Sequence, residues 1–210
     1  TTLVSAAISV VLLVVAGARG KHLAAVGVLG VVLVAVVLQS GMLDDYQKDR
    51  LTQFANQDKE LTLEDSRGAA YNLEQSKIAI GSGGLTGKGL FQGTQTRLGA
   101  VPEQHTDFIF TAVGEELGLV GAAGLLSLFS VMVWRVWRTA QLARDDFGSL
   151  LCAGILAMLV FQVFQNVGMT MGIMPITGIP LPFISYGGSS TIMSCMAIGL
   201  VLNVHMRRFS

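Results

Sequence analysis

The chain has 210 residues, 51% of them hydrophobic and only 13% charged, with 14 Lys plus Arg balancing 14 Asp plus Glu. A soluble domain carries about a quarter charged residues, and the stretch from Phe147 to Met206 contains no Asp, Glu, Lys or Arg at all. A membrane-spanning helix takes ~20 apolar residues, so that stretch holds two spans and a connection; the composition excludes a soluble fold and predicts an all-α, polytopic integral membrane protein.

Five spans are expected in chain order, at about Leu3–Ala16, Leu23–Leu38, Ile109–Trp134, Phe147–Gly168 and Ser189–His205. Their connections are Gly17–His22, a long polar segment from about Gln39 to Phe108, Arg135–Asp146, and the Pro-rich Met169–Gly188. The chain opens on Thr1 inside an apolar stretch, with no basic start before it. No secretory signal is therefore expected, and the chain reads as the C-terminal part of a longer one. Cys152 and Cys195 both fall in apolar runs and form no CxxC pair, which favours buried free thiols over a disulfide or metal role.

Cations set the orientation. Arg19 and Lys21 lie in the first connection, Arg135, Arg138 and Arg144 in the third, and Arg207 and Arg208 at the C-terminal end. With five spans these three places share one side, which the positive-inside bias makes cytoplasmic. The 39–108 segment and the Pro-rich connection then face outward. From Asp44 to Glu116 there are 12 acids against 7 Lys plus Arg, so the outer segment is net negative. Within it, Leu43, Tyr46, Arg50, Leu51 and Phe54 recur at three- and four-residue spacing. That is the pattern of a short amphipathic helix, either at the membrane interface or packed on the loop. Leu61–Gly68 is the most polar part and is expected to be the most mobile.

Three motifs could carry chemistry. "GSGGLTGKGLFQGTQTRLG" suggests a phosphate loop but lacks its spacing: Ser82 stands where the first glycine belongs and Gly89 follows Lys88. It remains a glycine-rich turn with Lys77, Lys88 and Arg97 around it, able to hold a phosphate oxyanion or needed only for tight turns. In "MPITGIPLPFISYGGSSTIMS", Pro175, Pro180 and Pro182 break the helix. Ser185, Tyr186, Ser189 and Ser190 there would line a wet cavity at membrane depth or belong to a plain outer turn. In "PEQHTDFIFTAVGEELGLVG", the polar run Gln104-His105-Thr106-Asp107 enters an apolar helix that carries Glu115 and Glu116 two turns inside. Asp107 reads equally as a helix cap and as a base or ligand. A continuous helix would bring Glu115 about 12 Å along and about 80° round from it, so both could face one cavity. Ionisable groups in spans usually face an interior or a wet path. Gly114 and Gly118 form a GxxxG that favours close packing.

"QSKIAIGSGGLTGKG", "LGAVPEQHTDFIF", "GEELGLVG" and "PITGIPLPFISYGGSS" together resemble the SEDS family (shape, elongation, division and sporulation), whose members include RodA, FtsW and SpoVE. Asn166, Gly172, Pro175 and Gly178 leading to Ser185-Tyr186-Gly187-Gly188-Ser189 are similar to its C-terminal signature. The resemblance covers nearly the whole chain, and "GTQT" followed by "PEQHTDFIF" looks more like RodA than FtsW. It implies a fold of about ten spans, of which residues 1–210 supply the last five in a single membrane domain, with 39–108 as the large extracytoplasmic loop. It further implies a bacterial cytoplasmic membrane protein that polymerises lipid II into glycan strands at the outer face during elongation. Its partners would be lipid II, the polyprenyl-diphosphate-linked glycan chain, a class B penicillin-binding protein and other elongation-complex membrane proteins; no nucleic acid is expected. The family's essential outer-loop aspartate matches Asp107, the expected general base of an inverting transfer. Lys77, Lys88 and Arg97 are candidates for the diphosphate, and His105, Glu115, Glu116 and Ser189 for other substrate contacts. No metal ligand set is expected, and a divalent cation on Glu115 or Glu116 is left open. The alternatives are a division-type FtsW-like polymerase, a lipid II flippase, and a non-catalytic scaffold of the elongation machinery.

Overall fold

A computed structural model describes residues 2–17, 21, 25–30, 69–98 and 105–208. The described residues are helical or irregular, without strands. Among the described residues, the helices with defined bounds run in order: α1 (Thr2–Val15), α2 (Ala69–Gly83), α3 (Thr94–Leu98), α4 (Ile109–Gln141), α5 (Asp146–Thr170) and α6 (Gly188–Arg207). Helices α4, α5 and α6, of 33, 25 and 20 residues, are each long and apolar enough to cross a membrane. They match the last three expected spans, α4 reaching seven residues further, to Gln141. α1 matches the first expected span but has 14 residues. Of the second, residues 25–30 are described and helical. The expected amphipathic helix around Leu43–Phe54 and the polar Leu61–Gly68 lie outside the described residues.

The bundle closes at one end around Val136 and Ala140 of α4, Cys152, Ile155, Met158 and Leu159 of α5, and Ala197 and Val201 of α6. The C-terminal halves of α4 and α6 therefore pack on the N-terminal half of α5, which places Arg138 and Arg207 at the same end of the bundle. Arg138 lies over the Trp134 ring, 5.7 Å from its centroid, an arrangement suited to a membrane–water boundary. On the other side of α5, Ile8 and Leu12 of α1 approach Gly154. The remaining faces expose Leu119, Val120, Leu128 and Val131 of α4 and Ile192 and Met196 of α6, side chains that hydrocarbon or further spans can cover without penalty.

The long polar segment is not a plain loop. α2 packs along the first half of α4, and Gly114 accepts Ile80 of α2 against its Cα. At the far end of this contact, the buried Ser76 hydroxyl lies 2.6 Å from Thr111 Oγ1 of α4 and donates to the Thr170 carbonyl of α5 at 2.9 Å. One serine thus ties three helices, where apolar neighbours alone would leave their rotation loosely specified.

α4 is broken. Gly118 sits at φ 64°, ψ −164° inside it, a conformation glycine adopts without the steric cost a Cβ would bring. The break leaves backbone groups that cannot pair within the helix, and the 84–89 loop pairs with them. Lys88 and Gly89 N–H donate to the Glu115 and Glu116 carbonyls at 3.1 and 3.0 Å, while Leu119 and Val120 N–H donate to the Gly84 and Leu85 carbonyls at 3.0 and 3.1 Å. A Cβ on Gly118 would collide with the Gly87 nitrogen and meet the Leu85 oxygen at 2.7 Å. The expected GxxxG is therefore used twice, Gly114 for helix contact and Gly118 to admit the loop.

Candidate functional site

The turn 105–108 enters α4 where α5 ends and the Pro-rich connection begins. Phe108, not Asp107, occupies the N-cap position of α4, and it makes no side-chain cap bond. Three attachments position this turn. Tyr186 N–H donates to the His105 carbonyl at 2.8 Å. Asn166, fully buried on α5, donates through Nδ2 to the Asp107 carbonyl and to the Ile179 carbonyl, both at 2.8 Å. The Asp107 carboxylate lies against Gly178, so close that a Cβ there would stand 2.9 Å from Oδ2. Gly178 has φ +67°, and both features call for glycine.

The Pro-rich connection supplies the other wall. Gln165 Nε2 donates to the Pro175 carbonyl at 2.9 Å. The buried Ser185 hydroxyl accepts from Leu181 N–H at 2.7 Å, so it closes its own turn rather than lining a cavity. Tyr186 and Ser189 are exposed, as is His105. Asp107 is partly buried. The arrangement presents a partly buried carboxylate on the turn that also carries exposed His105, with its backbone held from α5 and from Tyr186. A carboxylate so placed can accept a proton from a hydroxyl brought to it.

Glu115 occupies a different environment. It is fully buried, and the residues around α3 enclose its carboxylate. Oε1 accepts from Lys88 Nζ at 2.8 Å, Gln95 N–H at 2.9 Å and Thr94 Oγ1 at 3.1 Å; Oε2 accepts from Thr96 Oγ1 at 2.7 Å and Thr96 N–H at 2.9 Å. Lys88 also donates to Thr94 Oγ1 at 2.7 Å. The expectation that Glu115 and Asp107 look into one cavity is thus corrected. It assumed one continuous helix, whereas α4 starts only at Ile109 and Glu115 is drawn to Lys88 and the first turn of α3. Five donors on one carboxylate leave no room for a cation there, and among the described residues no His, Cys, Asp and Glu cluster could hold a metal. Lys88 is likewise committed to Glu115; Lys77 on α2 and Arg97 on α3 lie at exposed positions. Glu116 is half-buried and takes part in the break through its carbonyl. Thr94, Thr96 and Ser76 were not marked in the sequence as site residues; their signal is a hydroxyl at a spacing that only the folded loop brings to a carboxylate or carbonyl.

A family model described as "Cell cycle protein", covering FtsW, RodA and SpoVE, matches residues 1–209. The chain is 44% identical over 181 residues to "Peptidoglycan glycosyltransferase MrdB" of Escherichia coli K12, covering 85% of this chain and 48% of that one. It is 42% identical over 196 residues to "Stage V sporulation protein E" of Bacillus subtilis, covering 93% and 51%. Among solved structures, a chain from work on "structural coordination of polymerization and crosslinking by a peptidoglycan synthase complex" matches with a TM-score of 0.76 at 30% identity, over 99% of this chain and 55% of that one. An aspartate-to-alanine mutant of the rod shape determining protein RodA of Thermus thermophilus matches with a TM-score of 0.50 at 38% identity, over 64% and 40%. The chain belongs to the SEDS family of FtsW, RodA and SpoVE, a family of multi-pass proteins of the bacterial cytoplasmic membrane. It spans about half the length of the curated relatives it matches.

Proposed function

We propose that this chain carries the carboxylate-bearing half of a peptidoglycan glycosyltransferase of the RodA type, which polymerises lipid II into glycan strands at the outer face of the cytoplasmic membrane. The observation that carries the reading is the placement of Asp107, a carboxylate at the mouth of α4, seated on Gly178 and held through its backbone by Asn166. The names of the relatives support the reaction class. The run "GTQT" followed by "PEQHTDFIF" favours the elongation type.

In this reading the 4-hydroxyl of lipid II attacks the anomeric carbon of the growing chain. A C–O bond forms, the bond to the polyprenyl diphosphate breaks, and the diphosphate leaves with its electron pair. An α-linked donor giving a β-linked product requires attack from the opposite face. Asp107 takes the proton of the attacking hydroxyl as general base. Arg97 and Lys77 are assigned to the departing diphosphate, and His105 and Ser189 to the sugar or peptide. Lys88 and Glu115 hold the loop that carries Arg97, and Glu116 remains an outer-segment contact. The cations at the Arg138 and Arg207 end face the cytoplasm, so segment 39–108 and Asp107 face outward. A class B penicillin-binding protein cross-links the product.

The test is polymerisation of purified lipid II in detergent by the full-length protein with its penicillin-binding partner, a setting in which nothing needs flipping. The wild-type complex makes glycan strands and Asp107→Asn loses at least about 100-fold in kcat. Intact polymerisation by Asp107→Asn removes the base assignment; no polymerisation by the wild-type complex points to the flippase or the scaffold.

A further inference from the structure

We infer that Asn166 is a positioning residue for the reaction, acting through Asp107; the inference rests on the reading of Asp107 as the base. Asn166 lies in α5, a helix without a charge beyond its first residue, Asp146. Its side chain is fully buried, and its one amide nitrogen serves two carbonyls on separate segments: Asp107, one residue before the N-cap of α4, and Ile179, immediately after the glycine on which the Asp107 carboxylate rests. The amide cannot be turned over. Two carbonyl oxygens face it, and only the NH2 end can donate to both. Among the described residues its own oxygen, Oδ1, is buried without a hydrogen-bond partner.

That combination distinguishes a geometric role from a stabilising one. A buried acceptor left unmade costs free energy, and an apolar side chain at 166 would avoid burying it. What such a side chain could not do is set the distance between the Asp107 backbone and the Gly178–Ile179 backbone. The carboxylate is thereby confined from two sides: Asn166 fixes the main chain that bears it, and Gly178 forms the surface beneath it. Tyr186 N–H on the His105 carbonyl keeps the same turn from pivoting. The anchors come from α5 and the Pro-rich connection rather than from α4, so the position of Asp107 does not depend on fraying of the helix it precedes.

The experiment uses the full-length protein in complex with its penicillin-binding partner and purified lipid II, with Asn166→Ala and the near-isosteric Asn166→Asp compared with Asp107→Asn. Asn166→Asp keeps the size of the side chain but replaces both donated N–H groups by oxygen. Both Asn166 variants are expected to assemble with the partner and to keep KM for lipid II within about twofold. Their kcat is expected to fall on the order of 10- to 100-fold, as a displacement of about 1 Å at a reacting group does. A purely structural residue would instead lower the melting temperature and the yield of complex while leaving kcat of the surviving complex unchanged. Wild-type kcat in both variants, a loss confined to KM, or failure of both to fold would each overturn the inference. The two readings separate cleanly. An inactive Asp107→Asn with fully active Asn166 variants removes the positioning role and leaves the base; an active Asp107→Asn removes the base and the positioning role with it.

Discussion

Glu115 shows how a carboxylate can be buried inside an apolar helix. Burying a charge is costly unless it is paired and its remaining lone pairs are met. Glu115 satisfies both conditions, with Lys88 at 2.8 Å and four further donors. Two of these donors are backbone N–H groups of the first turn of α3, so Glu115 caps that helix from outside it. Lys88→Met leaves the carboxylate without its cation but with four donors, and is expected to destabilise by about 1–3 kcal/mol. It should appear as a lower melting temperature of the purified full-length protein and as proteolytic cleavage between 88 and 97. Glu115→Gln should do the same, because its NH2 would face donors. At Asp107 the near-isosteric Asp107→Asn is expected to lower kcat more than the melting temperature.

The broken helix α4 matters at the scale of the element. In an ordinary helix interior, Gly→Ala stabilises by roughly 1 kcal/mol. At Gly118 the sign is expected to reverse, since φ is 64° and the added Cβ would meet Gly87 and Leu85. Gly118→Ala should lower the melting temperature, and Gly124→Ala on the same helix, where a Cβ meets nothing within 4 Å, should not. Equal effects from the two would mean that the break is dispensable. The physical need for the loop is clear from the four backbone bonds it makes: at membrane depth no water satisfies the amides and carbonyls that a break exposes. The loop also carries Lys88 to Glu115, so one insertion serves both the backbone and the carboxylate.

For the whole molecule, the alternation of α4, α5 and α6 brings Arg138 and Arg207 to one end and Asp107, Asn166 and the Pro-rich connection to the other. The orientation this suggests can be measured. With Cys152 and Cys195 replaced by Ser in the full-length protein, a cysteine at Thr62 is expected to react with an impermeant thiol reagent added to intact cells from outside. One at Asp145, within the third connection, is expected to react only after permeabilisation. The reverse pattern would overturn the orientation and move Asp107 to the wrong face for lipid-linked sugars.

The amino-acid sequence by itself determined the class of the fold, because hydrophobic length and charge clustering report membrane crossing directly: the limits of α5 and α6 and the start of α4 lie close to where apolar runs begin and end, whereas α4 continues past its apolar run to Gln141. It also marked Asp107, since a polar run meeting an apolar helix is visible without a structure, although its family likeness weighed as much as its chemistry. Only the tertiary structure separated the surroundings of the two acids. Asp107 and Glu115 are eight residues apart, and periodicity treats the helix between them as continuous. The left-handed conformation at Gly118, the loop inserted beside it and the five donors gathered on Glu115 all arise from contacts distant in sequence. Asn166 was visible only as part of a motif; that one amide bridges Asp107 and Ile179 depends on α5 passing between them. Such bonds join segments whose spacing carries no local signal, and packing alone sets the distance across which they form.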